Sequence, residues 1–264
     1  MPITDQAPLV IRQDRADGLT TLTLNRPAQF NSLSREMLSA LQAELDSIAR
    51  SDSVRVVVIA GAGKAFCAGH DLKEMRANHR KEFMQALFKQ CGDLMLSITR
   101  LPQPVIARVH GIATAAGCQL VSMCDLAVAA DVARFAVSGI NVGLFCSTPA
   151  VGLARNLGRK AALEMLLTGE FIDAMEARAK GLVNRVVPAD ALDAEIEGLV
   201  GNILGKSAVA IRMGKGMFYR QLEMSLDDAY AYAGEVMACN MMSEDAGEGI
   251  DAFMQKRQPE YRGR

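Results

Sequence analysis

The stretch Gly111-Ile112-Ala113-Thr114-Ala115-Ala116-Gly117-Cys118-Gln119-Leu120 has the residue types best suited to chemistry. A strand-like run, 104–109, leads into it, and the apolar run 120–123 that follows reads as a helix. Small residues let a ligand come close to bare backbone. The free N–H groups of a helix's first turn then point at that ligand, with the positive end of the helix dipole behind them. Such a corner suits an anionic oxygen, on a phosphate or on a thioester whose carbonyl gains charge during reaction. The same residues also make a plain strand-to-helix turn with small side chains for packing, and the stretch alone leaves both readings open.

A second stretch, Ala65-Phe66-Cys67-Ala68-Gly69-His70-Asp71-Leu72-Lys73-Glu74-Met75, follows the strand-like run 54–60. The two together resemble the enoyl-CoA hydratase/isomerase family, the crotonase superfamily. The resemblance runs from Leu24-Asn25-Arg26-Pro27 and Asn31-Ser32-Leu33 to Phe253-Met254-Gln255-Lys256-Arg257, and it rests on the order and spacing of the motifs. It implies an oxyanion hole for an acyl-CoA thioester, built from the backbone N–H groups of His70 and Ala116. Gly117 takes the second place if the small residues align one position later. Coenzyme A is expected as part of the substrate, with no separate cofactor and no metal. The resemblance implies substrate contacts at Ala28, Phe30, Ala68, His70, Asp71 and Leu72. Further contacts are implied at Gly139, Asn141, Cys146 and, toward the CoA phosphates, Lys256. Asp71 also reads as a local cap and Lys256 as a solvated lysine.

Hydration of a 2-enoyl thioester needs one group to activate water and one to protonate the α-carbon, each typically worth about 10²–10⁴ in rate. The family uses two glutamates. Their positions align here with Gln119, which holds a water but moves no proton usefully at neutral pH, and with Gly139, which has no side chain. His70 is the candidate replacement, because its ring follows the oxyanion turn and its reference pKa of about 6.5 suits proton transfer; the alternative is that it only shapes the pocket. Cys146 and Ser147 sit at a helix start, where the dipole lowers a thiol pKa, unless the cysteine is buried and structural. Ser138 and Asn141 are candidates to hold a water. His110 reads as a core histidine and His79 as solvated. The first functional reading is therefore an acyl-CoA enzyme with altered chemistry: slow hydration or isomerisation, decarboxylation, or thioester hydrolysis. The second is a member of the same fold that binds acyl-CoA or a protein without turnover. A nucleotide-binding reading of the Gly-rich turn ranks third, since 111–119 is neither GxGxxG nor a Lys-Ser/Thr phosphate loop.

The positioning elements alternate. A hairpin over 9–13 and 19–24 turns at Asp17-Gly18. Ser34 caps a helix to about residue 50, with Met37, Leu38, Leu41, Leu45 and Ile48 at helical spacing. Strands follow at 54–60, 104–109, 126–129, 133–137 and 182–187. The charged run 73–82 reads as a solvated face before a helix over 81–99. Thr148 is the expected N-cap and Pro149 the first position of the next helix, with helices at 159–167 and 173–180 beyond. The alternation argues an α/β fold, and the resemblance implies a spiral of ββα units. Residues 1–190 read as that core and 191–264 as a C-terminal helical subdomain serving oligomerisation and pocket cover. The family forms homotrimers, often paired as hexamers. Half the residues are hydrophobic and the formal charge is −1, from 29 basic and 30 acidic residues. That balance argues against a nucleic-acid partner, and no apolar run reaches the length of a membrane span. Residues 1–13 show no targeting pattern. The six cysteines form no CxxC pair and show no zinc-ligand spacing with the three histidines, which points to reduced thiols and a cytoplasmic location.

Overall fold

The computed structural model describes residues 7–264. The reading of the N-terminus as free of a targeting segment falls in part on residues 1–6, outside the described residues. Strands β1 (Val10–Asp14) and β2 (Leu19–Leu24) pair antiparallel. Helix α1 (Arg35–Ala49) starts at Ser34, whose side chain accepts from the Met37 N–H at 3.2 Å. Then three strand pairs succeed one another: β3 (Val56–Gly61) and β4 (Ala65–Cys67), β5 (Val105–Val109) and β6 (Ile112–Thr114), β7 (Leu126–Ala130) and β8 (Arg134–Ala136). Between them lie α2 (Leu72–Ala77), α3 (Lys81–Arg100) and α4 (Ala116–Met123). The first strand of each pair joins a six-stranded sheet of order β1-β2-β3-β5-β7-β10. The second joins a four-stranded sheet of order β4-β6-β8-β9. Each turn of chain thus lays one strand in each sheet, the spiral that the family resemblance implies.

The large sheet is buried on both faces, which its residues show by alternation. Val57, Ile59, Val105, Ala107, Val109, Ala127 and Ala129 point into the main core against α1 and α3. Their neighbours Val56, Val58, Ile106 and Val128 point the other way, onto Leu192, Ile196 and Val200 of α8 (Leu192–Leu204). The remaining elements are α5 (Ser147–Asn156), α6 (Arg159–Thr168), β9 (Ile172–Asp173), α7 (Ala174–Lys180) and β10 (Arg185–Val187). Three helices close the chain: α9 (Ala208–Gln221), α10 (Leu226–Met241) and α11 (Glu244–Gln255). Among the described residues no helix is long and apolar enough to cross a membrane.

Three expectations change. The run 73–82 is not only a solvated approach: Asp71 accepts from the N–H groups of Lys73 (3.0 Å) and Glu74 (3.2 Å), and this cap starts α2. The short strands β4, β6 and β9 were not anticipated, because two or three residues carry no readable period. Helix α5 begins two residues early, with Cys146 at the N-cap and no side-chain cap bond, so Thr148 and Pro149 are its second and third residues.

Candidate functional site

Strands β4, β6 and β8 run parallel, so their C-terminal ends open on one side. The residues just beyond those ends, Ala68 and His70, Ala115 and Ala116, Ser138 and Gly139, line a single cavity of about 330 Å³. The outer ends of parallel strands are where α/β sheets place ligands, and the volume is in the range of small-molecule sites. Its far wall is apolar: Leu72 and Met75 of α2, Phe88 of α3, and Val142, Leu144 and Phe145 before α5.

The backbone geometry follows from local pairing. Leu33 and His70 form a parallel bridge in which Leu33 N–H donates to Gly69 O (2.7 Å) and Asp71 N–H to Leu33 O. The His70 N–H therefore points away from Leu33, and it finds no acceptor among the described residues. Ala116 opens α4, where no preceding turn exists to accept its N–H. Ala115 enters that helix at φ +50, ψ −121, a conformation that favours glycine and that costs an alanine about 1–3 kcal/mol. A Cβ on Gly69 would lie 2.8 Å from Ala115 Cβ and 3.1 Å from Ala116 N, so the two turns touch. Only glycine permits that approach. Gly117 is used differently: a Cβ there would overlap the Cys67 carbonyl oxygen and lie 2.7 Å from its carbon, and the residue does not line the cavity.

The His70 ring lies edge-on to Phe88, with centroids 5.6 Å apart. Its Nδ1 faces Leu33 O at 3.3 Å, and its Nε2 is buried without a partner. With Nδ1–H donating to that carbonyl, Nε2 keeps a free lone pair. Burial pushes the ring's pKa below the ordinary histidine value, against a smaller upward pull from Leu33 O. The imidazole is accordingly neutral near pH 7. Burial also raises the Cys146 thiol, outweighing the bond from Gly139 backbone, so the helix start does not make it a thiolate. Thr114 Oγ1 and Ser138 Oγ, 2.9 Å apart, tie the ends of β6 and β8 together.

Of the other sequence candidates, Leu72, Gly139 and Cys146 reach the cavity. Gln119 is buried within α4 and is not among the lining residues; its Oε1 has no partner. Asp71 is engaged as the α2 cap and in an ion pair with Arg26 at 3.2 Å. Asn141 donates to Gly169 O at 3.2 Å. Ala28 and Phe30 sit in and after a 3-10 turn (Pro27–Gln29), and Lys256 ends α11 in a left-handed cap; none of these lines the cavity. Sequence reasoning missed Phe88, which stands one residue off the core stripe Phe83, Leu87, Leu94 and Ile98. It also missed the apolar wall at 142–145, although unperiodic apolar residues in a turn region were a readable signal.

A family model described as enoyl-CoA hydratase/isomerase matches residues 14–264. The chain belongs to the enoyl-CoA hydratase/isomerase family. It is 46% identical over 252 residues to enoyl-CoA hydratase domain-containing protein 3, mitochondrial, of Xenopus laevis, covering 96% of this chain and 85% of that protein. Among solved structures, an enoyl-CoA hydratase of Mycobacterium smegmatis is 61% identical with a TM-score of 0.95, covering 96% of this chain and 99% of that one. The human enoyl coenzyme A hydratase domain-containing protein 3 is 43% identical with a TM-score of 0.93, covering 96% and 100%. The Xenopus protein's name places it in the mitochondrion, a different compartment from the cytoplasm suggested here by cysteine usage.

In this enoyl-CoA hydratase/isomerase family member, no aspartate or glutamate is among the described residues that line the cavity. Nor is Gly139 a simple vacancy for one. A Cβ there would lie 2.5 Å from Leu144 O and 2.7 Å from Cys146 Sγ, and Gly139 O already accepts the Leu144 N–H. Gly139→Glu is therefore expected to displace residues 144–146 rather than add a base. The α2 wall depends on its cap. Asp71→Ala removes two cap bonds and the Arg26 pair, with an expected loss of about 1 kcal/mol. Faster amide exchange over residues 72–77 is the check, and unchanged protection there would contradict the capping role.

Proposed function

We propose that this protein binds acyl-CoA thioesters and forms the thioester enolate, rather than hydrating by a two-carboxylate route. The observation that carries this reading is the pairing of two amide N–H groups without a protein acceptor among the described residues, on His70 and Ala116, at one cavity whose lining holds no carboxylate; the His70 ring stands beside them with its Nε2 buried and unpartnered. The thioester oxygen takes both N–H bonds, which strengthen as negative charge develops on it. Rotation of the His70 ring on substrate binding brings the buried Nε2 to the α-carbon, where it removes the α-proton, and the electrons of the C–H bond pass onto that oxygen. Return of the proton regenerates the thioester. The CoA portion runs along residues 28–30 and 68–70, and copies of the chain assemble as trimers or hexamers, as the family resemblance implies.

The test is exchange of the α-protons of butyryl-CoA in D₂O, read by mass spectrometry beside hydration of crotonyl-CoA. Wild type is expected to catalyse exchange. His70→Gln, which keeps the backbone N–H but has no basic nitrogen, should lose about 10²–10⁴ of it. Because burial lowers the His70 pKa, the neutral base persists below the ordinary value. The acid limb of the exchange profile should then fall below pH 6.5, the ordinary histidine value. Saturable acyl-CoA binding without exchange would replace this reading with non-catalytic binding. Fast hydration insensitive to His70→Gln would place the acid and base groups elsewhere.

A further inference from the structure

The cavity at the outer ends of β4, β6 and β8 is larger than a short acyl group needs. Its volume of about 330 Å³ holds about ten non-hydrogen groups at roughly 30 Å³ each, the share of one water in the liquid. A butyryl thioester, with about six such groups, leaves nearly half of that space unfilled, and an octanoyl thioester fills it. Apolar space left empty forfeits the dispersion contacts of its walls.

An independent feature is the rim. Leu72 is 58% exposed, Val142 67%, Leu144 43% and Phe145 39%, and all four line the cavity. They come from two separate segments, the first turn of α2 and the residues before α5. A single exposed leucine needs no explanation, whereas four large apolar side chains around one opening mark a surface that a ligand covers. The lining gives a polar or charged chain little to bond. None of the described residues in it is a lysine, arginine, aspartate or glutamate, and Ser138 Oγ is already paired with Thr114 Oγ1 at 2.9 Å. His70 and Ala116 line the same cavity, so the rim is continuous with the two amides that face a thioester oxygen.

We propose that the substrates of this site are medium-chain aliphatic acyl-CoA thioesters. About eight acyl carbons fill the cavity, and further carbons lie across Leu72, Val142, Leu144 and Phe145. This inference rests on the acyl-CoA binding proposed for the same cavity and names the acyl class it selects.

The full chain is titrated by calorimetry with CoA and with butyryl-, hexanoyl-, octanoyl-, decanoyl- and dodecanoyl-CoA, each below its micellar concentration. From butyryl to octanoyl, Kd should fall about fourfold with each added methylene, the gain of full burial. From octanoyl to dodecanoyl it should fall about twofold per methylene, because the rim covers the chain on one side only. Binding should saturate at one molecule per chain, and excess CoA should displace octanoyl-CoA. Leu72→Ser/Val142→Ser changes two side chains that are more exposed than buried, and should flatten the second slope more than the first. Equal affinity for butyryl- and octanoyl-CoA would overturn the inference and leave acyl-CoA binding standing. So would a chain-length gain that CoA does not compete away or that the double substitution leaves untouched. Failure of every thioester to bind would overturn both.

Discussion

Gly117→Ala should disable acyl-CoA binding and destabilise the fold together. The added methyl has nowhere to go. It would overlap the carbonyl oxygen of Cys67 and sit 2.9 Å from Cys67 Cβ. Cys67 is fully buried in β4, which is itself paired with β6, so the strand does not yield. Helix α4 must lift instead, carrying the Ala116 N–H away from His70. Overpacking of this kind costs about 1–3 kcal/mol, and a displacement of about 1 Å at a reacting site costs on the order of 10²-fold in rate. The comparison is Gly92→Ala in α3, where a Cβ meets nothing within 4 Å. That variant should be neutral or more stable by up to about 1 kcal/mol. Thermal unfolding and α-proton exchange read both effects. Equal behaviour of the two variants would remove the argument that α4 is seated on β4 through Gly117.

Asp125→Ala is expected to lower stability by about 3–5 kcal/mol, or roughly 10 °C in Tm. Asp125 follows α4 and gathers three donors: Lys215 Nζ at 2.6 Å, Tyr219 OH at 2.8 Å and the Val105 N–H at 2.6 Å. Lys215, on α9, also bonds Ile98 O and Gln103 O, and its side chain is 7% exposed. This cluster fastens α9 to the ends of α3 and β5. Removing the carboxylate strands a buried ammonium, whose pKa burial already holds below the ordinary lysine value. A depressed lysine pKa in the folded state means that the unfolded chain binds the extra proton. The deficit should therefore shrink as pH rises toward the unfolded-lysine value, and grow as pH falls through the folded one. Lys215→Met/Asp125→Ala leaves no charge unpaired and should recover part of the loss. A cost below about 1 kcal/mol for Asp125→Ala would reduce the cluster to an ordinary surface pair.

The apolar wall bears on substrate choice in the proposed reaction. Phe88, Val142, Leu144 and Phe145 enclose the acyl end, and no lysine or arginine lines the cavity. An acyl chain ending in a carboxylate would lose hydration there without gaining a partner. Succinyl-CoA should therefore exchange or bind at least about tenfold more weakly than butyryl-CoA.

Much of the fold was legible in the residues themselves. The apolar β-branched run 54–60 set a strand buried on both faces, the stripe of Met37 to Ile48 set α1, and Ser34 marked that helix's start, because these signals are local to one element. The motif order around His70 and Ala116 also fixed the family, since it is carried by residue identity. Other features were decided only by the tertiary structure. That Gly117 packs on Cys67 while Ala116 opens to the cavity depends on how α4 seats against β4. That Gly139 is closed by Leu144, that Gln119 lies inside α4, and that Phe88 reaches His70 are distances between segments far apart in sequence. The left-handed entry at Ala115 was invisible because alanine does not announce a positive φ. It persists because two sheets and a helix converge there and hold the backbone.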